Sequence, residues 1–235
     1  MKALINGIGW ATAAGLGSGR IERRQPLIDG DLEIPTRKQL FDGVDRRFGR
    51  LDDFSRIGLA AATFCLRDAQ AELWQEKRSL GIIAASRYGC LNTDLDYLET
   101  MLPDQGKLAS PNLFAYTLPN CFLGEVTLRF GLTGNSVIIN QDDPGKMTAV
   151  RFALQELCWS DQEGMLAGIV DLAPPPDLAK VDDIPGSLFL LLEKRARPGL
   201  VPYGKLEMHD GGLTFNDSAV LNLKSLVSDC LAIDH

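Results

Sequence analysis

Histidine is nearly missing from this chain: His209 and His235 are the only two in 235 residues. A mechanism built on a Cys–His–His or Ser–His–Asp set therefore lacks parts before any motif is sought. The five cysteines, Cys65, Cys90, Cys121, Cys158 and Cys230, are scattered, odd in number and form no CxxC. That spacing argues against a zinc site or a disulfide framework and fits a reducing cytoplasm. No run of about 20 apolar residues occurs, so no membrane partner is expected. The opening MKALINGIGWATAAGLG is apolar but broken by Asn6, Gly7 and Gly9; it reads as a first strand and loop, not a signal peptide. Positive charge is also short, with 24 Lys and Arg against 31 Asp and Glu and a net charge of −7. A nucleic acid needs a positive surface, so none is expected as a partner. The same acidity confines docking of an acidic protein to two clusters, Arg20, Arg23 and Arg24, and Arg46, Arg47 and Arg50, which otherwise are solvated loop charges.

What is present is ordinary globular material, 45% hydrophobic and 23% charged, long enough for one α/β domain over residues 1–235. Strands are expected at 2–9, 80–86, 135–140, 164–171, 186–194 and 202–209, and helices at 52–73, 93–102, from the end of 110–120 to about 130, at 144–159 and at 216–232. Residues 15–50 read as a long loop and APPPD, 173–177, as a stiff one. Strands separated by helices imply a sheet with parallel strands and helical cover. GSLFLLLEK has no polar residue between Ser187 and Glu193, and a strand apolar on both sides must be covered on both sides. In 52–73, Phe54, Ile57, Ala61, Phe64, Cys65 and Ala69 share one helical face, which makes Cys65 core packing; Cys121, Cys158 and Cys230 also read as packing in helices.

No cofactor is expected. GIGWATAAGLG imitates a dinucleotide fingerprint, but no helix follows at once and no acidic residue lies where a ribose would need one. The stretch SVIINQDDPGKMTAVRFALQEL, 136–157, reads as strand, tight turn and amphipathic helix, a layout that can hold a reactive group at a helix N-terminus. The turn carries Asp142, Asp143 and Pro144. Asp is a favoured N-cap and Pro a favoured first helical residue, so Asp143 is expected to cap a helix that begins at Pro144. Cys90, in SRYGCL, is the one thiol on an expected loop; with Arg87 near and no histidine it reads as inert.

The order of INGIGWATAAGLG, DDFSRIGLAAATFCLRDA, LGIIAASRYG, SPNLFAYTLPN, GEVTLRFGLTGNSVIIN, AVRFALQEL, MLAGIVD and GSLFLLLEK resembles the N-terminal half of a β-ketoacyl synthase, a thiolase-fold condensing enzyme, from residue 1 to about 209. The resemblance implies a thiolase-like half: a single mixed, mainly parallel sheet with helices on both faces. It puts the family's nucleophilic cysteine at Asp143, with Gln141 two residues too early to serve as the glutamine of decarboxylating relatives. It also implies a C-terminal half, with two histidines, that these 235 residues do not contain. No catalytic residue is therefore expected, because a carboxylate at Asp143 would oppose the negative charge that condensation builds on a thioester oxygen.

A lone half would expose an apolar face, and such faces mark interfaces. The resemblance thus implies a chain-length-factor-like subunit, closest to the short factors of aryl-polyene type gene clusters. Its partner would be a full-length ketosynthase in a heterodimer, or itself in a homodimer, with acyl carrier protein reached indirectly through the partner. Phe114, Tyr116, Leu118 and Phe122 are expected to face the acyl tunnel or the interface, with core packing as the alternative. Ile138, Ile139 and Asn140 lie on the strand that the family pairs across its dimer. Two other readings stay open: a stand-alone acyltransferase or decarboxylase using Cys90 or Asp143, and a homodimeric acyl-binding protein.

Overall fold

The structure, a computed structural model, describes residues 1–210 and 212–233; His235 lies outside them. The chain begins with β1 (Lys2–Thr12), β2 (Gly15–Ser18), the one-turn helices α1 (Gly19–Glu22) and α2 (Arg37–Leu40), the long α3 (Asp53–Asp68), β3 (Leu80–Ser86) and α4 (Leu91–Met101). Then come α5 (Pro111–Phe114), α6 (Cys121–Phe130), β4 (Ser136–Asn140), α7 (Thr148–Trp159), β5 (Gly164–Asp171) and β6 (Gly186–Glu193). The last part is β7 (Gly204–His209), β8 (Gly212–Phe215), β9 (Ser218–Val220) and α8 (Leu223–Leu231).

One mixed sheet runs β4-β3-β5-β6-β1-β7-β8-β9, with β2 attached to β1. β3 pairs in parallel with β4 and with β5, because each return between them passes through helices and a parallel neighbour needs a crossover. The pairings β5–β6, β6–β1 and β1–β7 and those beyond are antiparallel. Helices cover both faces: α3 and α6 pack on one, α7 and α8 on the other. β6 is buried along its whole length, as its unbroken apolar run requires.

The glycines of INGIG serve this packing. A Cβ at Gly9 would fall 1.9 Å from the Cys65 nitrogen and one at Gly7 2.5 Å from the Cys65 oxygen, so only glycine lets α3 lie this close on β1. α3 starts at Asp52, whose carboxylate accepts from Ser55 N at 3.0 Å. It ends at Asp68, whose buried carboxylate accepts from Ile8 N, Arg20 N, Arg20 Nη1 and Tyr203 Oη at 2.8–3.1 Å. Four donors on one buried acceptor tie β1, α1, α3 and the approach to β7 together, and none of that charge is left unmatched.

Several boundaries differ from expectation for local reasons. Residues 15–50 contain β2, α1 and α2 and are not a bare loop. The helix expected over 52–73 stops at Asp68, where Gln70 takes φ 52 and Ala71 N bonds Leu66 O. The segment expected as helix from 216 begins as a hairpin: Asn216 and Asp217, both at positive φ, turn β8 into β9, the backbone that a two-residue strand connection favours. Cys158 faces outward and Cys121 is half-buried, so neither is core packing, whereas Cys65 and Cys230 are. No helix among the described residues is long and apolar enough to cross a membrane.

Candidate functional site

Ser86, Asn140 and Asp171 are the last residues of β3, β4 and β5. The carboxyl ends of parallel strands are where an open α/β sheet builds its ligand crevice, and the turn 141–147 sits there. Asp143 does not cap a helix starting at Pro144. Lys146 takes φ 55, and α7 starts only at Thr148. Asp143 instead closes the turn on itself: Oδ1 accepts from Gly145 N at 2.9 Å, and Oδ2 from Met147 N at 2.8 Å and Thr148 Oγ1 at 3.2 Å. Burial opposes its charge, but these hydrogen bonds outweigh burial and hold the carboxyl below its ordinary value.

Beside it, Asp171 accepts from Ser86 Oγ at 2.8 Å, Arg87 N at 2.9 Å and Tyr88 N at 3.0 Å. Burial pushes its carboxyl above the ordinary value despite those bonds. The space between Ser86, Gln141, Asp143, Lys146 and Asp171 is about 10 Å³, no more than one water needs.

Arg87 seals the outer side. Its side chain is 8% exposed, and the guanidinium meets Asp142 at 2.5 Å, Asp182 at 2.7 Å, and Asp183. Tyr88 Oη lies 2.8 Å from Asp183 Oδ2 and 2.9 Å from Leu178 O, and Lys180 Nζ pairs with Asp142. The segment between β5 and β6 is thereby strapped to the turn. These bonds join residues 38 to 96 positions apart, so no short motif announces them. The acidic pair Asp182-Asp183 and the arginine directly after β3 are the only signals in the sequence, where Arg87 stands out only as a neighbour of Cys90.

Two hydrogen-bond donors of the turn are already engaged. The Gly145 and Met147 N–H groups, which could stabilise an oxyanion, are taken by Asp143. Cys90 is buried, and burial together with the Asp94 carboxylate pushes its thiol up to about 12, so a thiolate is scarce at neutral pH. No group of His, Cys, Asp and Glu that could hold a metal occurs among the described residues.

The other expected site residues divide. Phe114 and Leu118 are each 62% exposed, and Tyr116 is half-buried against the α3–α6 core. Phe122 takes the packing alternative: it is fully buried, with its ring 5.7 Å from Phe54 and 6.4 Å from Phe189. Ile138 and Ile139 are half-buried on opposite faces of β4 and Asn140 is exposed. β4 is an edge strand, paired only with β3 among the described residues.

Residues 23–181 match the family model described as "Beta-ketoacyl synthase, N-terminal domain". No curated protein matches the chain. Solved structures do. A chain of "AntDE:AntF (apo): type II PKS acyl-carrier protein in complex with its ketosynthase bound to the hexaketide" is 18% identical with a TM-score of 0.69, over 87% of this chain and 67% of that one. "The ishigamide ketosynthase/chain length factor" gives 14% identity and a TM-score of 0.66, over 87% and 62%. A chain of "Ketosynthase (ApeO) in Complex with its Chain Length Factor (ApeC) from Xenorhabdus doucetiae" gives 17% and 0.63, over 100% of this chain and 93% of that one. At these identities the likeness speaks for the fold. The chain spans about two thirds or less of the first two matched chains and nearly all of the third.

Proposed function

Because the chain belongs to the β-ketoacyl synthase family through its N-terminal domain, we propose that it is a non-catalytic, chain-length-factor-like partner of a full-length ketosynthase. It acts in the cytoplasm, of the kind carried by aryl-polyene type clusters. The observation that carries this reading is the Asp143 turn. A carboxylate stands at the position that the family resemblance assigns to the nucleophile, and it consumes the N–H donors a thioester oxygen would need. Support for a partner comes from the free β4 edge, with Val137 exposed on it, since unpaired edges and uncovered apolar surface favour association. Phe114, Tyr116 and Leu118 supply bulk that limits the growing acyl chain in the partner's tunnel. Ile138, Ile139 and Asn140 pair across the interface, and Phe122 supports that wall from the core. Carrier-protein docking falls mainly to the ketosynthase, in keeping with the acidity of this chain.

The test is co-expression with a full-length ketosynthase from the same genome, measuring complex formation and product length. The expected outcome is a heterodimer whose products lengthen when Phe114 or Leu118 becomes alanine. Absence of association under all conditions tried would reject the reading.

A further inference from the structure

Among the described residues of 91–121 only Thr93 is buried. The segment packs on itself, with the rings of Tyr97 and Phe114 5.5 Å apart, and has almost no core of its own. α4 presents Leu91, Leu95, Leu98 and Leu102 at spacings of four, three and four, which is one helical stripe. Leu95 and Leu98 are each 39% exposed, and Leu102, directly after the helix, 74%. A partly covered leucine stripe on a helix with little core beneath it suits a docking face.

The sequence of that segment is predominantly acidic. Residues 91–121 hold four acids, Asp94, Asp96, Glu99 and Asp104, against one cation, Lys107. The cleft beside α4, about 550 Å³, is lined by Asp52, Asp53, Asp96 and Glu99 around Leu95 and Leu113, with no Lys or Arg in its lining. Asp52 is engaged as the α3 cap and with Thr93, and Asp53 pairs with Arg56. Asp96 and Glu99 have no ion-pair partner among the described residues. A two-fold contact of this face with itself would set these carboxylates against their own copies, and like charges brought together suppress a wrong partner.

We propose that the α4 face receives a different polypeptide, one with an apolar centre rimmed by Lys and Arg, and that its acidic rim rejects a second copy of this chain. This rests on the reading of the protein as a partner subunit and adds the chemistry of the partner's surface. It selects the heterodimer over the homodimer.

The test uses the full chain with two synthetic amphipathic helices, one of Leu and Lys and one of Leu and Glu. Binding is followed by fluorescence anisotropy at low salt, and self-association by sedimentation. The Leu/Lys helix is expected to bind at least about tenfold tighter than the Leu/Glu helix. That preference collapses in Asp96→Asn/Glu99→Gln, which also self-associates more strongly than the natural sequence. Leu95→Ser/Leu98→Ser loses both peptides while keeping the circular dichroism of the folded chain, because each side chain is already 39% exposed. Equal binding of the two peptides, a preference that survives neutralisation, or self-association of the natural chain as strong as that of the neutralised variant would each overturn the proposal. A chain that shows the preference yet binds no ketosynthase would instead defeat the partner-subunit reading. One that binds ketosynthase without dependence on Asp96 and Glu99 would defeat this inference alone.

Discussion

β6 and α4 carry similar apolar content and meet opposite fates. β6 is buried from Gly186 to Glu193 between two helical layers, while α4 buries only Thr93 and leaves its leucines partly exposed. Burial on both faces gives β6 the role of holding the molecule together. The shallower burial of α4 gives it a smaller part in the isolated fold. The turn at Asp143 stands between these extremes. It is half-buried and closed by its own hydrogen bonds, yet it occupies the carboxyl end of the parallel strands, so its bonds fill the place where chemistry would be expected.

The largest effect expected from this contrast is on stability. Phe189→Ala, which removes a ring buried against Phe122, should cost about 3–5 kcal/mol by urea denaturation. Phe114→Ala in the exposed segment should stay within about 0.5 kcal/mol; comparable losses would erase the distinction. Next in size, Asp68→Asn keeps the shape of the buried hub but removes the charge that Arg20 and Tyr203 meet, and should cost about 1–3 kcal/mol in the same assay.

Smaller still is the strap. Arg87→Ala should lower stability by about 1 kcal/mol and raise hydrogen exchange around 178–184, leaving exchange in β6 unchanged.

The smallest effect is on pH dependence. The hydrogen bond from Lys180 holds Asp142 below its ordinary value, and that from Arg87 holds Asp182 down at about 2. For Asp183, burial opposes its charge, but bonds from Lys180 N, Tyr88 and Arg87 prevail. A carboxyl lowered on folding contributes stability that is complete above its unfolded value, about 3.9, and is lost as pH falls through its folded value. The strap should therefore loosen between about pH 4 and 2, seen as faster proteolysis of 173–185, and the Arg87→Ala variant should lack that acid-dependent step. Asp171 has the opposite sign. Its raised carboxyl favours the folded state below the unfolded value, and that contribution is lost as pH rises through the folded one.

How much of this could be read from the residues follows from the range of the forces involved. β3, β5 and β6 are continuous apolar runs ended by polar or turn residues, so their limits were legible almost to the residue. The β8–β9 hairpin was missed because its signal is two residues, Asn216 and Asp217, inside a stretch that also tolerates helix. Asp143 was correctly set at the strand–helix junction, yet its carboxylate closes a turn and does not start a helix. That difference hangs on the positive φ of Lys146, which no side-chain pattern dictates. The Arg87 network was invisible because its charges converge only after β3, β4 and β5 are aligned. The leucine stripe of α4 was legible in its spacing and went unread, since exposure cannot be told from burial until the neighbours are known.

The most direct measurement of the central claim is mass spectrometry of the purified chain after incubation with acyl- and malonyl-carrier thioesters, with and without a ketosynthase. A non-catalytic partner subunit gives no covalent adduct on Asp143 or Cys90 and no condensation product unless the ketosynthase is present. An acyl group on either residue, lost in Asp143→Ala or Cys90→Ala, or a carbon–carbon bond formed by this chain alone, would contradict it.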